Sequence, residues 1–362
     1  MAGIAAVIVC YDEQPEQIRD AVESLLSQTR PPDSVMIVDN GPGGRLADAM
    51  SGYAPGVSTM RSRGDFGYGS AVNFAAERTD ADHLLCLNPD ARAQSDCLEH
   101  LAAVAESDPN VAIVGGQVLL EDGETVNAGA NPLHPTGISP SGRYGQAREH
   151  GAPREAIVVS GACMLIRREA LLRLNGFVEE LFLYYEDTNL AWRAFVAGMG
   201  VVYCPEATVL HGYEFGGRPQ KWFLLERNRL FSVLSNYRLK TLLVLGPMLL
   251  ATEAGLIAVS AAGGWLPEKL RAYGSLFGLR RAVLSRRRAL AAQRRRSDAE
   301  VLEALTNRLD SALMSARWSA VANFFFIPYM AIAQLLVHDR TPAGAGPRVP
   351  APGSTAPRID GD

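Results

Sequence analysis

Four groups of residues have types and spacing suited to chemistry. The tetrapeptide Leu87-Asn88-Pro89-Asp90 closes an apolar run at 83–87. A carboxylate at the carboxyl end of a buried strand, beside a stiffening proline, is well placed to hold a divalent cation and a diphosphate, because open α/β sheets bind ligands outside those strand ends. A hard cation takes one or two carboxylates plus substrate phosphates. As Lewis acid it neutralises charge developing on a diphosphate leaving group. Asn-Pro-Asp is also a good turn sequence, and that alternative needs no chemistry. Glu186 and Asp187 follow two tyrosines and open a helical pattern. Acidic residues in a first turn suit the helix dipole; a carboxylate there can also serve as general base for a hydroxyl nucleophile. Tyr11 and Asp39 end the first two strand patterns. They could stack a base and accept from its N–H or from a ribose hydroxyl, or merely cap the core and begin a turn. The run at 64–73, Gly-Asp-Phe-Gly-Tyr-Gly-Ser-Ala-Val-Asn, can bring backbone N–H groups to a phosphate. His211 ends a later strand pattern, where imidazole suits Mn²⁺ beside a carboxylate.

The surrounding elements must position these groups. Strand patterns at 4–11, 34–39, 57–61, 83–87 and 111–120 alternate with helical patterns at 17–28, 69–78 and 97–106. That alternation predicts an α/β fold: a Rossmann-like, mostly parallel sheet with helices on both faces. Residues 121–155 are rich in Gly, Pro, His and Arg, as functional loops are. A strand is expected at 157–167, a short helix at 169–174, a helix at 188–197, a strand at 201–211 and a helix at 221–236.

Beyond residue 237 the composition changes. Residues 241–266 are apolar apart from Glu253, and 320–337 are apolar again. Between them, Lys269 to Arg296 carries ten Lys or Arg and no Asp or Glu. About 20 apolar residues suffice to span a bilayer. Two single crossings, however, would put the arginine-rich linker outside, against the positive-inside rule. A surface-bound or re-entrant region with arginines on anionic head groups is therefore expected, followed by a mixed helix at 297–317. The expected division is 1–237 catalytic, 238–338 helical and membrane-associated, and 339–362 a disordered tail.

The 362 residues carry a net charge of −4, so no nucleic-acid partner is expected. The five cysteines have no C-x-x-C spacing and fit a reducing compartment. With no leader pattern before the first strand, a cytoplasmic catalytic part at the inner face of the membrane is expected.

Taken in order, these segments resemble the family 2 glycosyltransferases with a GT-A fold, rhamnosyltransferase-like members in particular. The residues carrying the resemblance are V-I-V-x-Y at 7–11, V-D-N at 38–40, F-G-Y-G-S-A-V-N at 66–73, L-N-P-D at 87–90, S-G-A-C-M-L-I-R at 160–167, F-L-Y-Y-E-D at 182–187 and E-R-N-R at 226–229. The resemblance implies an inverting, non-processive transfer of a sugar, rhamnose being one candidate. The donor would be a dTDP- or UDP-sugar and the acceptor a cell-surface glycan or polyprenyl-linked saccharide, with Mg²⁺ or Mn²⁺ as cofactor. It implies Asp187 as base and Asp90 with His211 at the metal. Tyr11, Asp39, Asp65, Gly67, Tyr68 and Asn88 would lie at the donor. Gly161, Glu186, Trp192, Arg227 and Asn228 would lie on the acceptor and diphosphate side. Asn88 replaces the first acid of the usual D-x-D pair, and Asp65 stands where the family often has Asn. A homo-oligomer stays open. A sugar nucleotidyltransferase would carry its Gly-rich, Arg-containing loop after the first strand, where Tyr11-Asp-Glu-Gln-Pro15 stands. A non-catalytic nucleotide-sugar or lipid-binding protein has no need of both Asp90 and Asp187.

Overall fold

The computed structural model describes residues 2–62, 64, 66–212, 219–309 and 316–337. Asp65 and the tail at 339–362 lie outside them. The first part runs β1 (Ile4–Cys10), α1 (Pro15–Leu26), β2 (Ser34–Asp39), α2 (Arg45–Ala49), β3 (Val57–Arg61), α3 (Tyr68–Ala76), β4 (His83–Leu87), β5 (Ala91–Ala93), α4 (Cys97–Ser107) and β6 (Val111–Leu119). It continues through β7 (Val126–Ala128), β8 (Arg154–Glu155), β9 (Cys163–Arg167), α5 (Arg168–Arg173), α6 (Glu186–Val196), β10 (Gly200–His211) and α7 (Pro219–Asn236). Four helices follow: α8 (Leu239–Ala262), α9 (Leu266–Gln293), α10 (Asp298–Ala304) and α11 (Ala316–Val337).

β1 shows why the sheet needs cover on both faces. Its side chains alternate, as a pleated strand requires. Ile4, Ala6, Ile8 and Cys10 join Ile18, Val22 and Leu25 of α1 and Leu98 and Leu101 of α4. Ala5, Val7 and Val9 join Val72 and Ala75 of α3 and Leu190 and Ala194 of α6 on the other face. Burying one such Val, Leu or Ile contributes about 1.5–3 kcal/mol.

The sheet order is β3-β2-β1-β4-β9-β6-β10-β5. The sheet is mostly parallel, as expected, with β9 and the edge strand β5 reversed. β1 to β4 are mutually parallel, as are β6 and β10, but β9 inserts antiparallel between β4 and β6. The chain reaches β9 after the excursion at 121–155, which itself holds β7 and β8, and so enters the sheet from the opposite end. The strand expected at 157–167 begins only at Cys163, because Gly161 turns the backbone beside α6.

The C-terminal part departs further. The arginine-rich stretch expected as a linker is the 28-residue helix α9. The mixed helix expected at 297–317 ends at Ala304. Packing does not break at residue 237. Trp192 and Phe195 of α6, Val233 of α7, Leu245 and Met248 of α8, Val301 of α10 and Met330 of α11 form one buried cluster.

Candidate active site

β10 and β5 build the first corner of the site. Their antiparallel register sets His211 opposite Ala91, the residue after Asp90. His211 Nε2 consequently lies 3.0 Å from Asp90 Oδ1 and 3.5 Å from Asn88 Nδ2. The His211 side chain is 7% exposed and that of Asp90 43%, so the pair opens to solvent on the aspartate side. Asn127 Nδ2 donates to the His211 carbonyl and fixes the strand end. Burial alone would raise the Asp90 carboxyl, but the hydrogen bond and charge of His211 outweigh it and hold it below the usual carboxylate range. One carboxylate oxygen and one imidazole nitrogen are a donor set that suits Mn²⁺; Mg²⁺, which takes oxygen ligands, would use the carboxylate alone. Among the described residues no group of three or more His, Cys, Asp or Glu gathers, so diphosphate oxygens and water would have to fill the remaining positions.

The second corner is built on α6. Tyr185 precedes the helix in the left-handed conformation and supplies no side-chain cap. Asp187 takes over: its Oδ1 accepts from Thr188 N and, at 3.2 Å, from Thr188 Oγ1, while Oδ2 accepts from Gly161 N at 2.9 Å. A Cβ at Gly161 would lie 3.1 Å from Asp187 Cβ, so glycine keeps this approach open. Burial pushes the Asp187 carboxyl up, against the hydrogen bonds from Gly161 and Thr188. Beside it Glu186 is 8% exposed, and among the described residues its Oε2 meets no hydrogen-bond partner. Burial, with the Asp187 charge next to it, pushes Glu186 up to about 8.

Backbone connects the two corners. Asn88 N donates to Ala162 O at 3.1 Å, and Ala162 follows the glycine that binds Asp187.

The approach to α6 is strained. Phe182, Tyr184 and Tyr185 have φ of 65°, 65° and 72°, and such conformations cost about 1–3 kcal/mol each in non-glycine residues. Two elements hold them. Tyr68 N donates to Phe182 O at 2.9 Å, and Gly67 leaves room for that carbonyl, which would stand 2.0 Å from a Cβ there. From α7, Asn228 Nδ2 donates to the carbonyls of Leu181, Leu183 and Tyr184 at 2.8, 3.0 and 2.7 Å. Arg227 donates to Glu180 O and Leu181 O.

One expectation needs correction here. Trp192, expected on the acceptor side, is fully buried and packs edge-on against Tyr237 at 5.0 Å, because five positions along a helix turn it away from Asp187. Asn228 is fully buried and Arg227 half-buried, and both donate to carbonyls of the 180–184 segment. Gly67 and Tyr68, expected at the donor, stand at the start of α3, where Tyr68 N donates to Phe182 O and Tyr68 OH to Gly161 O at 3.3 Å. Asp39 is 2% exposed and accepts from Gly41 N, Leu46 N and Ala47 N, which satisfies the amides that open α2. Tyr11 stands 48% exposed at the end of β1.

Sequence reasoning assigned nothing to Asn40. Its Oδ1 accepts from Ser62 Oγ and Phe66 N, tying the glycine-rich segment to β2. Its place after Val38-Asp39 was the available signal.

The sequence model described as "Glycosyl transferase family 2" matches residues 5–174. An N-acetylglucosaminyl-diphospho-decaprenol L-rhamnosyltransferase of Mycobacterium tuberculosis is 29% identical over 233 residues, 58% of this chain and 75% of that one. Among solved structures, GalNAc-T7 with UDP, GalNAc and Mn²⁺ superposes with a TM-score of 0.52 at 14% identity, over 65% of this chain and 48% of that one. The match thus spans about half the length of that protein. A mannosyltransferase of Pyrobaculum calidifontis in complex with GDP-Man and Mn²⁺ superposes with a TM-score of 0.50 at 18% identity, over 81% of this chain and 85% of that one. At these identities the two structures speak for a shared GT-A fold.

Proposed function

We propose that this chain, which belongs to glycosyl transferase family 2, transfers a sugar with inversion from a nucleoside diphosphate donor to a hydroxyl of a lipid-linked or glycan acceptor. The observation that carries the reading is the backbone connection between Asp187 and the Asp90–His211 pair, which would join a half-buried base to a cation and diphosphate corner.

Asp187 Oδ2 would take the proton of the acceptor hydroxyl as its oxygen attacks the anomeric carbon. The Gly161 N–H that now donates to that oxygen keeps it near the carboxyl end of β4. Burial raises the basicity of the carboxylate, which favours proton capture in the transition state. Asp90 and His211 would hold the divalent cation, with Asn88 beside them. When bound, that cation supplies Lewis-acid neutralisation of the departing diphosphate. Tyr11, exposed at the end of β1, is free to stack on the base. The Mycobacterium tuberculosis relative supports a polyprenyl diphosphate acceptor and, more finely, rhamnose as the sugar. Such an acceptor would place the protein at the cytoplasmic face of a membrane.

Incubation of the purified chain with dTDP- and UDP-sugars, a polyprenyl diphosphate saccharide and Mn²⁺ or Mg²⁺ tests the reading. Metal-dependent release of nucleoside diphosphate and a product of inverted anomeric configuration are expected. Tight donor binding with no release would favour a binding-only protein, and retained configuration would remove Asp187 as direct base.

A further inference from the structure

Two helical segments, Leu239–Ala262 and Ser319–Val337, are long and apolar enough to cross a membrane, yet only 17% and 22% of their apolar windows are buried within the fold. Leu243 and Leu250 of α8 and Phe324 and Leu335 of α11 are among the exposed side chains. An apolar surface of this extent calls for a cover.

The middle of α8 is fastened to the catalytic part. Glu253 Oε1 lies 2.6 Å from Arg229 Nη2, and Oε2 lies 2.6 Å from both Lys269 Nζ and Tyr273 OH. Arg229 follows Asn228, whose amide braces the segment leading to Asp187. An α8 that crossed a bilayer would carry Glu253, Lys269 and α7 to mid-depth, and the water-facing site with them. α9 adds a second observation. Leu270, Phe277 and Leu284 are exposed on one face of α9, and the exposed Arg281 and Arg288 lie on that same face between and beyond them. Arginines set among exposed apolar side chains can lay their stems along an apolar surface and lift their charged heads to lipid head groups. These arginines select an anionic lipid surface over a second copy of the chain, which would bring arginines toward arginines.

We propose that α8, α9 and α11 seat the protein side-on in one leaflet of an anionic bilayer, without crossing it. This rests on the membrane placement proposed above and is independent of the transfer reaction. The test uses the full chain and sealed phosphatidylcholine vesicles with or without phosphatidylglycerol. Co-sedimentation with the anionic vesicles is expected, and the double variant Arg281→Glu/Arg288→Glu binds them at least roughly tenfold more weakly. All five native cysteines are buried, so Ala262→Cys reports on the far end of α8. It is expected to react with an impermeant maleimide in the bath and not with one trapped in the lumen. Labelling from the lumen would overturn the side-on seat while leaving attachment intact. Failure to bind anionic vesicles at all would overturn attachment itself.

Discussion

His211 Nε2 sits 3.0 Å from Asp90 Oδ1 although 121 residues separate them, because the last residue of β10 is register-paired with the residue after Asp90. Asp90→Ala is expected to abolish the metal dependence of nucleotide binding, and His211→Ala to weaken it by roughly 10-fold or more. Calorimetric titration of UDP or dTDP with and without Mn²⁺ reads this directly. An unchanged metal effect in Asp90→Ala would remove the pair from the cation site.

Asp187→Asn keeps the shape of the side chain and removes its basicity. Turnover should fall at least ~10²-fold while nucleotide binding stays within about twofold. Because the group must be ionised to act, and burial raises its pKa, the acid limb of the rate profile should lie above the usual aspartate range of about 3.9. Activity should rise with pH through that limb. A profile flat down to the ordinary range would contradict the assignment.

Glu186 ties stability to pH. Its folded-state pKa, about 8, exceeds the value of about 4.3 for a free side chain. The folded state therefore holds an extra proton between those values, and stability declines as pH rises from the lower to the upper. Glu186→Gln should raise Tm at pH above 8 by at least ~3 °C and leave it nearly unchanged near pH 4. Equal shifts at both would show that the titration is not the cause.

Asn228 positions the base without touching substrate. Asn228→Ala removes an amide whose two N–H hydrogens serve three carbonyls of a segment that carries positive φ at Phe182, Tyr184 and Tyr185. We expect kcat to fall roughly 10- to 100-fold with KM for the donor little changed. A proportional loss of folded protein with normal kcat per folded molecule would make the residue merely structural.

Lys269 is fully buried between Glu226 and Glu253. Lys269→Met leaves the two carboxylates of Glu226 and Glu253 to share the single cation of Arg229, and breaking such a buried group costs about 3–5 kcal/mol. Urea denaturation should show it. A loss under about 1 kcal/mol would mean that water reaches the cluster.

The alternating halves of the sheet were readable in the sequence because buried strands and amphipathic helices carry unlike periods. The position of β9 was not: a continuous apolar run names a buried strand but carries no direction. Asp90, Asp187 and His211 could be singled out because strand ends and helix starts are local features. The bracing by Asn228 could not, since it depends on α7 meeting the 181–185 segment, a contact 44–47 residues apart in the chain. Trp192 was misread for a related reason. Its neighbourhood with Asp187 in sequence says nothing about which side of α6 it faces.

The cluster joining α6, α7, α8, α10 and α11 bears on modularity. A chain cut after residue 237 would strip Trp192 and Val233 of their apolar partners, and Glu226 and Arg229 of Lys269 and Glu253. The catalytic half is thus not a portable module. Exchanging C-terminal helices between relatives to retarget the enzyme would have to carry α7 and its buried charges along with them.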